Sequence, residues 1–296
     1  MILIVVFLLI SAFASVVVNF SEDKFVFDSY VSNEIQTEKI IFVSSSISQA
    51  LEEFLDQDDK TVDYLGEFWA QPLPFNLDDV AVTVEIADQE RYLNPNFLVD
   101  GKRINQKYME IFERLFNILE INDQILFNII DWIDPDDKSN GGEEEYPNYL
   151  AKNSKLDTLE ELYLIKGVSM KIFNGTVVNG VFRPGLKAIL SPYSNGKVNI
   201  NTASKWVLMA LDRDIDESIA NSIIAYRQKK PFKRIDDLIN VDGMSSDILY
   251  RIKPFTTVKS ENFLANVEIK IGGREYKLVV LLKRKNKTKT IWKKIY

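Results

Sequence analysis

Cysteine and histidine are both absent from this chain of 296 residues. Without cysteine there is no disulfide framework and no thiolate to attack a substrate or hold a metal. Without histidine there is no Ser-His-Asp or Cys-His catalysis, no imidazole ligand and no ordinary general base near neutral pH. An oxygen-ligand metal site and carboxylate or lysine chemistry remain open. Glycine and proline are missing until Gly66, and no charge of either sign precedes Glu22. Acids outnumber bases, 43 to 36, for a net charge of −7, which argues against a phosphate backbone as the main partner. With 46% hydrophobic residues the chain can bury one large domain or two to three small ones.

What is present first is an apolar run from Ile2 to Val18, broken only by Ser11, Ala12, Ala14 and Ser15. As a helix it would cover about 25 Å, close to the roughly 30 Å hydrocarbon core of a bilayer. No basic residue precedes it, and no small-x-small cleavage site followed by a polar break ends it, which argues against a cleaved signal peptide. Beyond it, apolar residues recur at helical spacing: Phe20, Phe27, Tyr30, Val31, Ile35, Ile40, Ile41, Ile47, Leu51, Phe54 and Leu55. The spacing predicts one long helix, apolar all round in its first half, one-sided in its second, and ending near residues 56–59. Such a helix has one end in lipid and the other against its own head. Glu22 and Asp23, with no Lys or Arg excess beside them, favour the far side of the membrane for everything downstream.

Residues 61–74 read as an aromatic-rich irregular link, 80–86 alternate as a strand, and 88–96 read as a turn. Helices follow over 105–117 and 123–133, then an acidic loop over 134–147 and a short helix capped by Asp157 and ending by Leu164. After a Gly/Asn/Pro-rich connector, 174–196, a second helical block begins. In it Thr202 caps a helix over 204–211, Asp216 caps one ending near Tyr226, and 236–239 and 245–252 are two more short helices. Residues 263–271, 275–283 and 288–296 read as three antiparallel strands, with Gly272-Gly273 as the first hairpin turn. The order predicts an α+β fold whose sheet starts near residue 80, is interrupted by about 150 mostly helical residues and resumes near residue 263.

Asp131, Asp134, Asp136, Asp137, Glu143, Glu144 and Glu145 lie within fifteen residues, with Lys138 the only base among them. Asp134, Asp136, Asn140 and Glu145 repeat positions one, three, seven and twelve of an EF-hand loop. Lys138 and Ser139 stand where that loop needs an oxygen ligand and glycine, so this is not an EF-hand. Carboxylates at this density repel one another unless a cation or a water shell intervenes. A solvated acidic loop and a cation site both remain open. Hard oxygen ligands on a flexible loop suit Ca²⁺ better than Mg²⁺. Asp131 and Asp134 share a face at i, i+3 if the helix continues, and Trp132 and Ile133 anchor its base.

The stretch from Val198 to Ala203, with Ile223, Ile224, Phe232, Leu238 and Gly243, resembles a helix-hairpin-helix pair, a module of many DNA-binding proteins. Such a hairpin usually offers phosphate the backbone N–H groups of a Gly-x-Gly turn with basic residues nearby. Here the first turn, 211–216, is acidic and lacks glycine, and the second has Gly243 beside Asp242. Carboxylates at both turns repel phosphate, which favours a helical scaffold. At the C-terminus Lys283, Arg284, Lys285, Lys287, Lys289, Lys293 and Lys294 have no acid among them. They read as lysines guarding edge strands against stray pairing, or as a surface for an acidic neighbour or lipid headgroups.

Over nearly its whole length the chain resembles the minor pseudopilin K family of type II secretion systems, or general secretion pathway protein K. The likeness is carried by the apolar N-terminal helix, Trp69, Asp88 with Asn94-Pro95-Asn96, and Asp131-Trp132-Ile133-Asp134-Pro135-Asp136 followed by Gly142-Glu143-Glu144-Glu145. Tyr149, Asn153, Glu161-Leu162, Gly167, the Asn199-Ile200-Asn201-Thr202-Ala203 run, Ser260 and Phe263 complete it. The resemblance implies a pilin-like fold, a long helix on an antiparallel sheet, with an inserted helical domain of SAM-like, helix-hairpin-helix-like modules. On that division 1–20 is the transmembrane half-helix, 21–100 the first part of the pilin-like domain, 101–195 a first insert, 196–258 a second, and 259–296 the closing strands. It implies no catalysis, no nucleic acid and no small-molecule substrate. It also implies a structural Ca²⁺ with Asp131, Asp134, Asp136, Glu144 and Glu145 as the candidate ligands. The implied place is the tip of a periplasmic pseudopilus, anchored in the inner membrane through Ile2 to Val18, beside the I, J and H types of minor pseudopilin and the major pseudopilin. No short basic leader ending in glycine stands before the apolar run, and Val5 occupies the position where most pilins carry a glutamate. A buried glutamate needs a cationic partner in lipid, so its absence suits a subunit with no neighbour above it. Two competing readings use less of the chain. A membrane-anchored helix-hairpin-helix DNA-binding protein of a DNA-uptake system uses the hairpins and the anchor, and a carboxylate-metal hydrolase uses the acidic loop alone.

Overall fold

A computed structural model describes the backbone of residues 2–77, 80–178 and 180–296, with side chains from residue 21 onward except 22, 23, 29, 77, 78, 79, 178, 179 and 181. Helix α1 (Ile2–Asp56) is one rod of 55 residues, as a stretch free of glycine and proline predicts. Its apolar run from Ile2 to Val18 lies outside the described side chains, and among the described residues no helix is long and apolar enough to cross a membrane. Toward its C-terminus α1 buries Ile40, Ser44, Ser48, Leu51 and Leu55 along one stripe. The two serine hydroxyls donate to carbonyls of their own helix, Ile41 O at 2.8 Å and Ser44 O at 2.7 Å, so small side chains sit satisfied against the sheet. The predicted apolar stripe is longer than the buried one. Phe27 and Tyr30 are exposed, because the sheet ends near Asn33, which accepts from Arg274 at 2.9 Å, and Ile35 and Ile41 are exposed off the stripe that holds Ile40 and Ser44.

The sheet contains β1 (Leu73–Leu77), β2 (Val80–Asp88), β3 (Asn262–Ile271), β4 (Arg274–Arg284) and β5 (Thr288–Ile295), in that spatial order and antiparallel throughout. In β3 the alternation buries Ala265, Val267, Ile269 and Ile271 while Glu268 and Lys270 face solvent. Gly272 and Gly273 both have positive φ, 56° and 75°, as a two-residue hairpin turn requires. Strand β1 corrects the reading of an irregular link there: Pro74 lacks a donor, but an edge strand tolerates it.

The chain leaves the sheet at Asp88 and returns at Asn262, and the residues between build a separate core around Phe112, Phe116, Leu126, Phe173, Leu208 and Phe232. Its longer helices are α2 (Gln106–Leu119), α3 (Gln124–Ile133), α4 (Lys205–Leu211), α5 (Glu217–Lys229) and α6 (Ser246–Ile252). The connector contains an unforeseen hairpin, Gly175–Val178 with Val181–Pro184. Two cap assignments change. Ser204, not Thr202, caps α4 by accepting from Val207 N. Thr158, not Asp157, opens the 3-10 turn Leu159–Leu164, its N–H bonded to Glu161 at 3.0 Å.

Thr202 and its neighbours instead bind the two cores together. Asp88, at the end of β2, accepts from Glu90 N at 2.7 Å, from Asn199 Nδ2 at 3.2 Å and from the Thr202 hydroxyl. The fully buried Glu90 accepts from Asn195 N, Glu261 N and Asn262 N at 3.0–3.1 Å and from Asn262 Nδ2 at 2.7 Å. Arg284 departs from the reading of the basic C-terminal run as a surface feature. It is buried, bonded to Asp58 and Asp63, and lies 4.6 Å from the Phe263 ring centroid.

Candidate metal centre

The acidic loop hangs from the end of α3. Asp131, completely buried in the last turn, accepts from Asn140 N at 2.8 Å, Gly142 N at 2.8 Å and Ser139 Oγ at 2.9 Å, so this carboxylate folds the loop back onto the helix. Gly142 is required there, since a Cβ would collide with the Phe127 carbonyl. Trp132 closes the base edge-on to Tyr146 and Tyr149, centroids 5.5 and 6.1 Å away.

Three of the five predicted ligands converge: Asp131, Asp134 and Glu144 bring one oxygen each within 4.8 Å of one another. Asp134 accepts from Asn140 Nδ2 through Oδ2 at 2.7 Å, while its Oδ1 and both oxygens of Glu144 are buried without a partner. Burial and then the neighbouring carboxylates, Asp131 first, push Asp134 up to about 6 and Glu144 up to about 7. Asp136 and Glu145 do not join them. Asp136 accepts from Lys138 N at 3.1 Å and lies 3.6 Å from Lys102 Nζ. Glu145 sits exposed in the two-residue ribbon paired with Leu150.

Asn153 adds a further oxygen that the carboxylate pattern did not single out. Its Oδ1 is buried and unpartnered, its Nδ2 bonds Asp137 at 2.6 Å, and its φ is +51°. The signal for it was an asparagine in a turn, a residue type that tolerates the left-handed region. Asp134 Oδ1 and both oxygens of Glu144, buried without a hydrogen-bond donor beside Asp131, are hard, anionic donors that fit a divalent cation of the calcium class.

In the second helical block the acidic turn is neutralised within the chain. Arg251 clasps Asp212 with two bonds of 2.7 and 2.8 Å and reaches Asp214 at 2.6 Å. Arg114 donates to the carbonyls of Ala210 and Leu211, closing the end of α4.

The type II secretion system (T2SS) protein K family matches residues 75–175, and the helix-hairpin-helix motif matches residues 194–257. The type II secretion system protein K of Klebsiella pneumoniae is 23% identical over 252 residues, covering 79% of this chain and 75% of that protein. The endonuclease/exonuclease/phosphatase family domain-containing protein 1 of Mus musculus is 41% identical over 58 residues, 19% of this chain but 10% of that protein. That likeness is confined to one small module. Among solved structures, a chain of the GspK-GspI-GspJ complex from enterotoxigenic Escherichia coli superposes with a TM-score of 0.71 at 16% identity, over 90% of this chain and 99% of that one. The two share a fold.

Proposed function

We propose that this chain, which belongs to the type II secretion system protein K family, works as a minor pseudopilin that assembles with other minor pseudopilins to start and cap a pseudopilus. The observation that carries this reading is the architecture itself: one 55-residue helix bearing a sheet and an inserted helical domain toward its far end, matched along almost the full length of a chain from the GspK-GspI-GspJ complex. In this reading the run from Ile2 to Val18 anchors the chain in the inner membrane, leaves the head in the periplasm, and with Val5 suits a subunit with no neighbour above it. We read the protein as non-catalytic, since the acidic loop stands without a second set of groups to position a substrate. The loop serves as a structural calcium site held by Asp134, Glu144 and Asn153, with Asp131 holding the loop and lending charge. The DNA-uptake reading is not favoured: Arg251 and Arg114 beside the first hairpin are bonded within the chain, and Arg213 in the turn itself is flanked by Asp212 and Asp214.

Co-expression of the full chain with the I- and J-type minor pseudopilins, followed by affinity purification in calcium, tests the assembly. A stoichiometric complex is expected. Recovery of this chain alone while the other two pair with each other would overturn the reading.

A further inference from the structure

Six exposed lysines at one end of the head take part in no ion pair among the described residues. Lys229, Lys230 and Lys233 lie at the end of α5 and in the loop after it, Lys259 just before β3, and Lys285 and Lys287 in the turn between β4 and β5. Those segments converge on the end of α1. Lys60 Nζ donates to Asn286 O at 3.0 Å. Ser260 N donates to Asp63 and Arg284 N to Glu261 O, each at 2.6 Å, which sets Lys259 beside the Lys285 turn. Asp59 is held below the usual carboxylate range by the hydrogen bonds of Thr61 first, and then by the positive charges of Arg284 and Lys233, so Lys233 also faces this end.

The nearby acids are largely engaged. Asp56 is bonded by Lys60 and Thr288, Asp58 by Arg284, Asp236 by Lys253, and Asp237 by the N–H groups of Lys233 and Arg234. Asp59, exposed and bonded by Thr61 alone, and Glu261, half-exposed, stand close by among the described residues without a bonded cation. Six lysines facing two such carboxylates leave a local excess of positive charge on a chain of net −7, a repulsion that an anionic partner relieves.

We propose that this lysine surface docks an acidic stretch of polypeptide on a partner protein. Lysines on flexible stems match carboxylates scattered along a chain, whereas a phosphate backbone is usually held by hairpin N–H groups, and both hairpin turns here carry aspartate. Lipid headgroups are excluded by position, because the apolar start of α1 lies roughly 80 Å away along the helix. The proposal goes beyond the pseudopilin reading and rests on it only for the membrane placement of Ile2 to Val18 that sets lipid headgroups aside.

The test uses the full chain in neutral detergent and a fluorescein-labelled hexadecaglutamate peptide, followed by anisotropy at physiological salt. Charge reversal at K230E/K233E/K285E/K287E is expected to weaken binding at least tenfold, and reversal of two exposed lysines elsewhere, K107E/K155E, to change it less than twofold. Since these side chains are exposed and unpaired, melting temperatures should match. Should the reversal variant melt early, the neutral K230Q/K233Q/K285Q/K287Q set is expected to give a loss of at least threefold. Absence of binding, an equal loss in the K107E/K155E control, or tighter capture of a DNA duplex than of the peptide would each overturn the proposal.

Discussion

Removing one charge from the acidic loop should have opposite effects with and without calcium. Both oxygens of Glu144 are buried with no donor, and one lies within 4.8 Å of oxygens on Asp131 and Asp134. Without a cation these carboxylates repel, and Glu144→Gln replaces one of them with an amide that can donate to the other two. In chelator the variant should therefore be more stable than the wild type by about 1 kcal/mol. In calcium the wild type gains RT ln(1 + [L]/Kd), about 2.7 kcal/mol at a hundredfold excess over Kd. At about 2–4 °C per kcal/mol for a head of this size, its melting temperature should rise by roughly 5–11 °C. The variant has lost an anionic ligand and should keep only a small part of that rise. Differential scanning calorimetry of both proteins in millimolar calcium and in EDTA gives four melts. If the wild type melts identically in the two buffers, or the variant retains the full calcium shift, the loop is a solvated acidic turn and the site reasoning fails.

Arg284→Met leaves Asp58 and Asp63 without their buried cation and should cost about 3–5 kcal/mol in denaturant unfolding; adding Asp63→Asn should recover part of the loss, and an additive double variant would contradict the pairing. Asn199→Leu strips a donor from Asp88, Ser260 and the Asp63 carbonyl and should cost about 1–3 kcal/mol, with faster proteolytic nicking beside residues 88–91 or 258–261; an unchanged cleavage pattern would count against the seam. Glu67 is pushed up to about 7 by burial, against the N–H groups of Tyr64 and Trp69 that pull it down. The folded carboxyl holds a proton that the unfolded chain releases from pH 4.5 upward, so stability should fall as pH rises from about 4.5 to 7, by about 1 kcal/mol after solvent screening. Glu67→Gln should match the wild type near pH 5 and melt higher near pH 8, and parallel pH profiles would refute the assignment.

Elements governed by local pattern were legible from residues alone. Helix α1 needed only an unbroken run without glycine or proline, and β3 to β5 showed their alternation and a Gly-Gly turn. Strand β1 was not legible, because Pro72 before it and Pro74 within it signal a break and only the neighbouring β2 makes a strand of it. Asp157 and Thr202 looked like caps since either residue type can cap a helix. Which neighbour takes that role depends on the tertiary partners: Lys152 donates to Asp157, and Asp88 accepts from Thr202. At the candidate site, acid density pointed to the right loop but could not sort its members. Asp136 and Glu145 fit an EF-hand spacing, yet the backbone folds around Asp131 and turns them outward. Arg284 lay in a run of lysines, and nothing local distinguishes a buried arginine from an exposed one.

The Asn199-Ile200-Asn201-Thr202 run explains how a module of DNA-binding shape serves as a structural joint. Asn201 pairs with the backbone of Phe232 on both sides, accepting from its N–H at 2.9 Å and donating to its carbonyl at 3.0 Å, and Arg227 donates to Ile200 O at 2.6 Å. Asn199 and Thr202, one residue away on either side, reach the opposite way to Asp88, where the sheet ends. Four consecutive residues thus fasten the insert's core to the sheet's core by hydrogen bonds from alternate sides, with no flexible linker between them. A load along α1 passes first to the sheet it lies against and then through this seam to the insert. Apolar residues of the same size would keep the cores intact but leave Asp88 and the Phe232 backbone groups buried with fewer partners, at about 1–3 kcal/mol for each unsatisfied group. The polar character of the run therefore follows from the joint it makes.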